Sequence, residues 1–90
     1  MAVIVMMEMK GMTQHQYDQA NAMMGGKVPP GCLVHTASVM AGGMQMVDVW
    51  ESEAAYEKFA QETLSKMGAA IGLTSQPEVK MHPVHNFMHA

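Results

Sequence analysis

Ninety residues carrying a net charge of −3 make a single domain (1–90) whose own core leaves stability marginal and a partner subunit useful. The five basic residues are scattered along the chain, which gives no electrostatic footprint for nucleic acid. No apolar run approaches the roughly 18 residues that span a bilayer, and no basic segment precedes Ala2-Val3-Ile4-Val5, so a cytoplasmic protein with neither nucleic-acid nor membrane partners is expected.

An apolar fraction of 49% against 14% charged residues leaves apolar surface to cover, and a homodimer is the expected outlet. The single cysteine, Cys32, excludes an internal disulfide and any zinc site built from cysteine pairs. With no base or cation near it in sequence, it reads as a small apolar residue at a strand start. Thirteen methionines read as core filler of a kind that also adapts to ligands of varied shape.

Ala2 to Met9 is a nearly unbroken apolar run of strand length, which predicts a strand buried on both faces. Thr13, with Gln16 three residues on, is a capping box, and Tyr17, Ala20, Met23 and Met24 recur at helical spacing, giving a first helix over Gln14 to Met24. Lys27-Val28-Pro29-Pro30-Gly31 is a connector, because consecutive prolines remove two backbone donors.

A hairpin follows, with arms Cys32 to Met40 and Met44 to Trp50 around Ala41-Gly42-Gly43. With a two-residue loop, strand parity places Leu33, His35, Ala37 and Val39 on the face that carries Met44, Met46, Asp48 and Trp50; a three-residue loop breaks that parity. Ser52 caps a second helix, with Glu51 and Glu53 at its positive end and Tyr56, Phe59, Ala60, Thr63, Leu64 and Met67 in one apolar stripe. Gly68 to Leu73 extends or frays that helix, and Thr74 to Pro77 breaks it. The last strand is Glu78 to His85, with Val79 and Met81 on one face, Lys80 and His82 on the other, and Pro83 marking an edge or bulge.

The order strand, helix, strand, strand, helix, strand is the ferredoxin-like split βαβ arrangement: an α+β fold with a four-stranded antiparallel sheet and two helices on one face. The other face, apolar in the first strand and the hairpin, is then expected to meet a second copy of itself.

On the preferred parity His35 lies across from Asp48 and beside Trp50. A carboxylate beside an imidazole selects its tautomer and raises its basicity, and an indole offers an apolar wall to a ligand. His35 and Asp48 are thus the candidate catalytic pair for proton abstraction, with Tyr17 reaching in from the first helix. Trp50, Tyr17, Met46, Phe59 and His85 are the candidate ligand-binding residues. The plainer alternative is a solvent-facing or structural His–Asp pair. A metal site at His82, His85 and His89 with Met81 and Met88 is not expected, since side chains three apart in a strand point to opposite faces.

The segment Val47-Asp48-Val49-Trp50-Glu51-Ser52-Glu53-Ala54-Ala55-Tyr56-Glu57-Lys58-Phe59, a strand ending in Trp followed by a capped helix that opens Glu-Ala-Ala-Tyr, resembles the dimeric α+β barrel superfamily, in particular small proteins related to antibiotic biosynthesis monooxygenases. The resemblance implies a pocket between sheet and helices in each subunit of a dimer, and cofactor-free oxidation or cyclisation of aromatic, polyketide-like substrates, with Trp50 matching the strand-end Trp. Oxygenase members carry an amide earlier on the Trp strand, where this chain has Met46 and Asp48, and a His in the following helix, where it has Phe59 and Ala60. Three functions stay open: an enzyme without cofactors acting on an aromatic substrate, a dimer that only binds such a ligand, and a structural dimerisation module whose interior is filled by Met and Phe.

Overall fold

The computed structural model describes all 90 residues. Strand β1 (Val3–Lys10) leads into helix α1 (Gln14–Met23), then β2 (Cys32–Met40), β3 (Gly43–Trp50), α2 (Glu53–Phe59), a π-helical segment (Ala60–Leu64), α3 (Ser65–Ala70) and β4 (Glu78–Pro83). From α2 to α3 the backbone never leaves helical dihedrals, so these three pieces together are the second helix of the expected order. The strands form one antiparallel sheet in the order β2-β3-β1-β4, with β1 paired on both sides. This is the ferredoxin-like arrangement. No helix is long and apolar enough to cross a membrane.

Local chemistry starts both helices where the sequence places them. The Gln16 amide donates to Thr13 Oγ1 at 3.1 Å while the Thr13 amide donates to Gln16 Oε1 at 3.0 Å, a complete capping box. The Ala55 amide donates to Ser52 Oγ at 3.1 Å, which satisfies one of the otherwise unpaired donors of α2.

The hairpin loop has two residues, Ala41 and Gly42, and Gly42 takes a positive φ of +80° at the second loop position while Ala41 does not, the place where a type II turn calls for glycine. The parity is therefore even: His35 faces Asp48, Ala37 faces Met46 and Val39 faces Met44. The register departs from simple alternation once. Between Cys32 and Val34 an irregularity pairs Cys32, not Leu33, with Trp50. The Cys32 amide already donates to the Pro29 carbonyl at 3.0 Å and the Glu51 amide to the Gly31 carbonyl at 2.8 Å, so the connector holds Cys32 beside Trp50. Leu33 absorbs the extra position as a bulge. Its side chain is exposed and that of Cys32 buried, which corrects the expected placement of Leu33.

One face of the sheet carries the core. Val3, Val5, Met7 and Met9 from β1 and Met44, Met46 and Trp50 from β3 pack with Ala20, Tyr56, Met67 and Ile71 from the helical layer. β1 alternates buried and half-buried positions because within one chain the helices cover only one side of it. The opposite face presents half-buried Ile4, Met6, Val47 and Val49. From His35 onward the helix-side face of β2 is also exposed, Val39 included, because this edge strand runs past the helical layer. β4 closes at Pro83, after which the Val84 amide makes one last bond, to the Ala2 carbonyl at 2.9 Å. The expected strand end at His85 therefore shortens by two residues.

Gly43 begins β3 pressed against β1, and a Cβ there would strike the Met9 carbonyl oxygen and the Lys10 Cα, both backbone atoms. Gly43→Ala should destabilise by about 1–3 kcal/mol, the usual range for overpacking. Urea unfolding should show a lower midpoint at unchanged slope.

Candidate functional site

The site grows from Asp48, the one buried charged side chain in the chain. A carboxylate taken out of water must be hydrogen-bonded to stay ionised, and two donors converge on it. His35 Nδ1 lies 2.7 Å from Oδ1 across the β2–β3 pair, and Trp50 Nε1–H donates to Oδ2 at 3.3 Å from two positions along the same strand. Both contacts follow from strand geometry, since residues i and i+2 share a face and paired positions lie opposite each other.

The donor inventory then settles the tautomer. An indole N–H only donates and an ionised carboxylate only accepts. His35 must therefore carry its proton on Nδ1 when neutral, which leaves a lone pair on Nε2. That nitrogen is 2.6 Å from the Tyr17 hydroxyl on α1. The phenol donates to the neutral imidazole and accepts from the imidazolium, so one relay, Trp50 to Asp48 to His35 to Tyr17, links the sheet to the first helix.

The relay opens into a cavity of about 260 Å³ between sheet and helices. Met7, Met46, His35, Asp48 and Trp50 line it from the sheet, Tyr17 and Ala20 from α1, Met24 from the cap that ends α1, and Tyr56, Phe59, Leu64 and Met67 from the second helix. Trp50 is held edge-on by Tyr56, centroids 5.5 Å apart at 77°, and tilted at 37° against Phe59 at 5.3 Å. Tyr17, His35, Met46, Asp48, Trp50 and Phe59 thus come together. His85 does not: with β4 ending at Pro83 it lies exposed in the tail, away from the cavity lining.

Several lining residues carried no candidate role. Tyr56, Leu64 and Met67 sit on the apolar stripe of the second helix, where core and cavity positions look alike. Val28 and Pro29 of the connector have no periodicity to announce them. No three His, Cys, Asp or Glu side chains converge in a way that could hold a metal ion.

No family model and no curated protein sequence matches the chain. Solved structures do. A candidate antibiotic biosynthesis monooxygenase from Caulobacter crescentus superposes with a TM-score of 0.72 at 18% identity, over 94% of this chain and 91% of that one. SnoaB, a cofactor-independent oxygenase from Streptomyces nogalater, gives 0.65 at 15% identity over 97% and 95%. A protein of unknown function from Nitrosomonas europaea gives 0.69 at 10% identity over 99% and 94%. The fold is the one these structures share.

Within this fold the electrostatics centre on Asp48. The hydrogen bond to Asp48, helped by its negative charge and opposed by partial burial, raises the His35 pKa above the usual 6.5. Burial first, and then the charges of Asp48 and Asp18, push the Tyr17 phenol up from its ordinary 10.0. Tyr56 is raised by burial and Asp48 in the same way, so both phenols stay protonated near neutrality. Burial and Asp48 lift the Cys32 thiol to about 11, which removes it as a nucleophile.

Because the folded pKa of His35 is raised, the pair's contribution to stability is present in full below the unfolded value near 6.5. It is lost as pH rises through the folded pKa. NMR titration of His35 should give a pKa above 6.5 in the wild type. In Asp48→Asn it should fall to 6.5 or below, since only the desolvation that lowers it remains, and the associated loss of urea stability with rising pH should vanish.

Proposed function

We propose that the protein is a cytoplasmic homodimer that binds a small aromatic, polyketide-like phenol in each subunit's cavity and oxygenates it without a cofactor, with His35 as general base. The observation that carries this reading is an imidazole whose lone pair is turned by Asp48 toward a phenolic hydroxyl at the solvent-exposed edge of an apolar cavity. Tyr17 stands where the ligand's own hydroxyl would act. A cavity of about 260 Å³ exceeds the roughly 150 Å³ that takes up benzene in an apolar protein interior, which suits one or two fused rings.

The chemistry closes on substrate and dioxygen alone. His35 Nε2 takes the phenolic proton, directly or through the Tyr17 hydroxyl, which gives up its own proton as it receives the ligand's. The electron-rich phenolate passes one electron to dioxygen, and the radical pair joins at a ring carbon as a peroxide. The proton held on His35 returns to the distal peroxide oxygen; removal of that carbon's own proton then breaks the O–O bond and expels hydroxide, proton and hydroxide together making one water, and leaves a quinone carbonyl. One oxygen atom enters the ring, the other leaves as water, and all four electrons come from the substrate. Cyclisation, the other reaction the resemblance implies, needs only the first step. A purely structural module should have its interior filled, and the cavity counts against that reading.

His35→Ala should lower turnover by about 10²–10⁴-fold, the usual worth of a general base, with little loss of ligand affinity, because a base acts in the transition state. Aromatic quinols screened by quenching of the single tryptophan and by dioxygen uptake provide both readouts. Equal losses of binding and turnover would leave only a binding module.

The dimer half of the proposal rests on the uncovered sheet face, where Ile4, Met6, Val47 and Val49 form an apolar centre. Light scattering should give twice the chain mass of 9.8 kDa, and Val47→Lys at the middle of that face should reduce it to the monomer.

A further inference from the structure

We propose that the ligand of this cavity is an aromatic acid whose carboxylate lies at the mouth between Lys27 and Lys58, an inference that rests on the aromatic-ligand reading above. The cavity does not end at its aromatic wall. It runs outward into a groove between the connector and the second helix, sharing Met24, Lys27, Val28, Pro29 and Phe59 with it and adding Lys58, Glu62 and Thr63.

The chain has only five basic residues, and two of them flank this groove. Neither is neutralised within the chain, whose one ion pair is His35–Asp48. Glu62 lines the same groove, and Lys58 stands four residues before it on the second helix without pairing to it, so the mouth keeps a net positive charge. The inner end has the opposite sign. Asp48 sits beside His35 there, so an anionic group on the ligand is repelled from the inner end and attracted to the outer one. One ligand chemistry meets both demands: a neutral hydroxyl facing His35 and a carboxylate across the rings from it.

The groove is also held in place. Lys27 enters it on the stretch that ends in Pro29 and Pro30, whose fixed φ angles limit the connector's freedom, and Lys58 is on a helix. Lys58 in particular, carried on a helix, needs less ordering when an anion binds than a lysine on a loose loop.

Two probes separate this proposal from the reading beneath it: 2-naphthol and 6-hydroxy-2-naphthoate, alike except for the carboxylate. Titration calorimetry on the full-length protein at low salt should show the acid binding roughly fivefold or more tightly, as two partly exposed charge contacts allow. The ratio of the two affinities should fall to about one in the Lys27→Gln/Lys58→Gln variant, and toward one in high salt. Binding of 2-naphthol with no preference for the acid, or a preference that survives the double substitution, overturns the charged mouth while leaving the aromatic site standing. If neither probe binds, both fall.

Discussion

A single carboxylate buried on the inner face of β3 dictates more of this structure than any apolar contact. Asp48 has to be satisfied where it sits, and hydrogen bonds to a charged group are each worth about 1.5–3 kcal/mol, a large share of what a domain this small can hold. Trp50 and His35 supply those bonds only if the strand is unbroken between Asp48 and Trp50 and the hairpin loop is even. Tyr17, bonded to the far side of His35, then ties α1 to the sheet. The arrangement that makes the imidazole basic is thus the one that orients the indole and docks the helix. Removing the carboxylate touches all three.

Much of this was legible from residue types and spacing. The Thr13–Gln16 box and the Ser52 cap mark helix starts through side chains that bond within three residues, so no tertiary knowledge is required. Ala41-Gly42 sets hairpin parity locally, and parity alone brings His35 to Asp48 and Trp50. Tyr17 follows from helical spacing against that face. What escaped the sequence depends on contacts between distant segments. The bulge at Leu33 arises because the Pro29 turn holds Cys32 beside Trp50, and nothing within β2 announces it. His85 reads from the sequence as a pocket residue at the end of β4, but the chain leaves the sheet after Pro83. The exposure of Val39 reflects where the helical layer ends, a matter of packing that alternation in β2 cannot report.

The π-helical segment is the least sequence-legible element, yet it has a clear chemical rationale. In an α-helical register the Ser65 amide would bond the Gln61 carbonyl. Here it reaches the Ala60 carbonyl instead, and the Ser65 hydroxyl donates to Gln61 at 3.2 Å in its place. A hydroxyl that bonds back four residues is a recognised way for Ser to loosen a helix. The extra residue in that turn lets the stripe containing Phe59, Leu64 and Met67 stay turned toward one cavity, in keeping with the frequent siting of π-turns at functional positions.

That cavity is hard to explain as an accident of packing. At about 24 cal/mol per Å³, an enclosed empty space of 260 Å³ would cost roughly 6 kcal/mol, comparable with the whole stability of a small domain. Methionines around it, Met7, Met12, Met24, Met46 and Met67, have the flexibility to collapse into such a space. They are held back by the ring of Trp50, braced from two sides by Tyr56 and Phe59, and by the relay that pins Tyr17 to His35. The same polar chain that would run the chemistry therefore also props the cavity open. Its mouth, at exposed Lys27 and Val28, admits water and so reduces the cost of the empty state. A ligand that displaces this water and fills the methionine-lined end recovers the contacts the core lacks, so occupancy and stability should rise together.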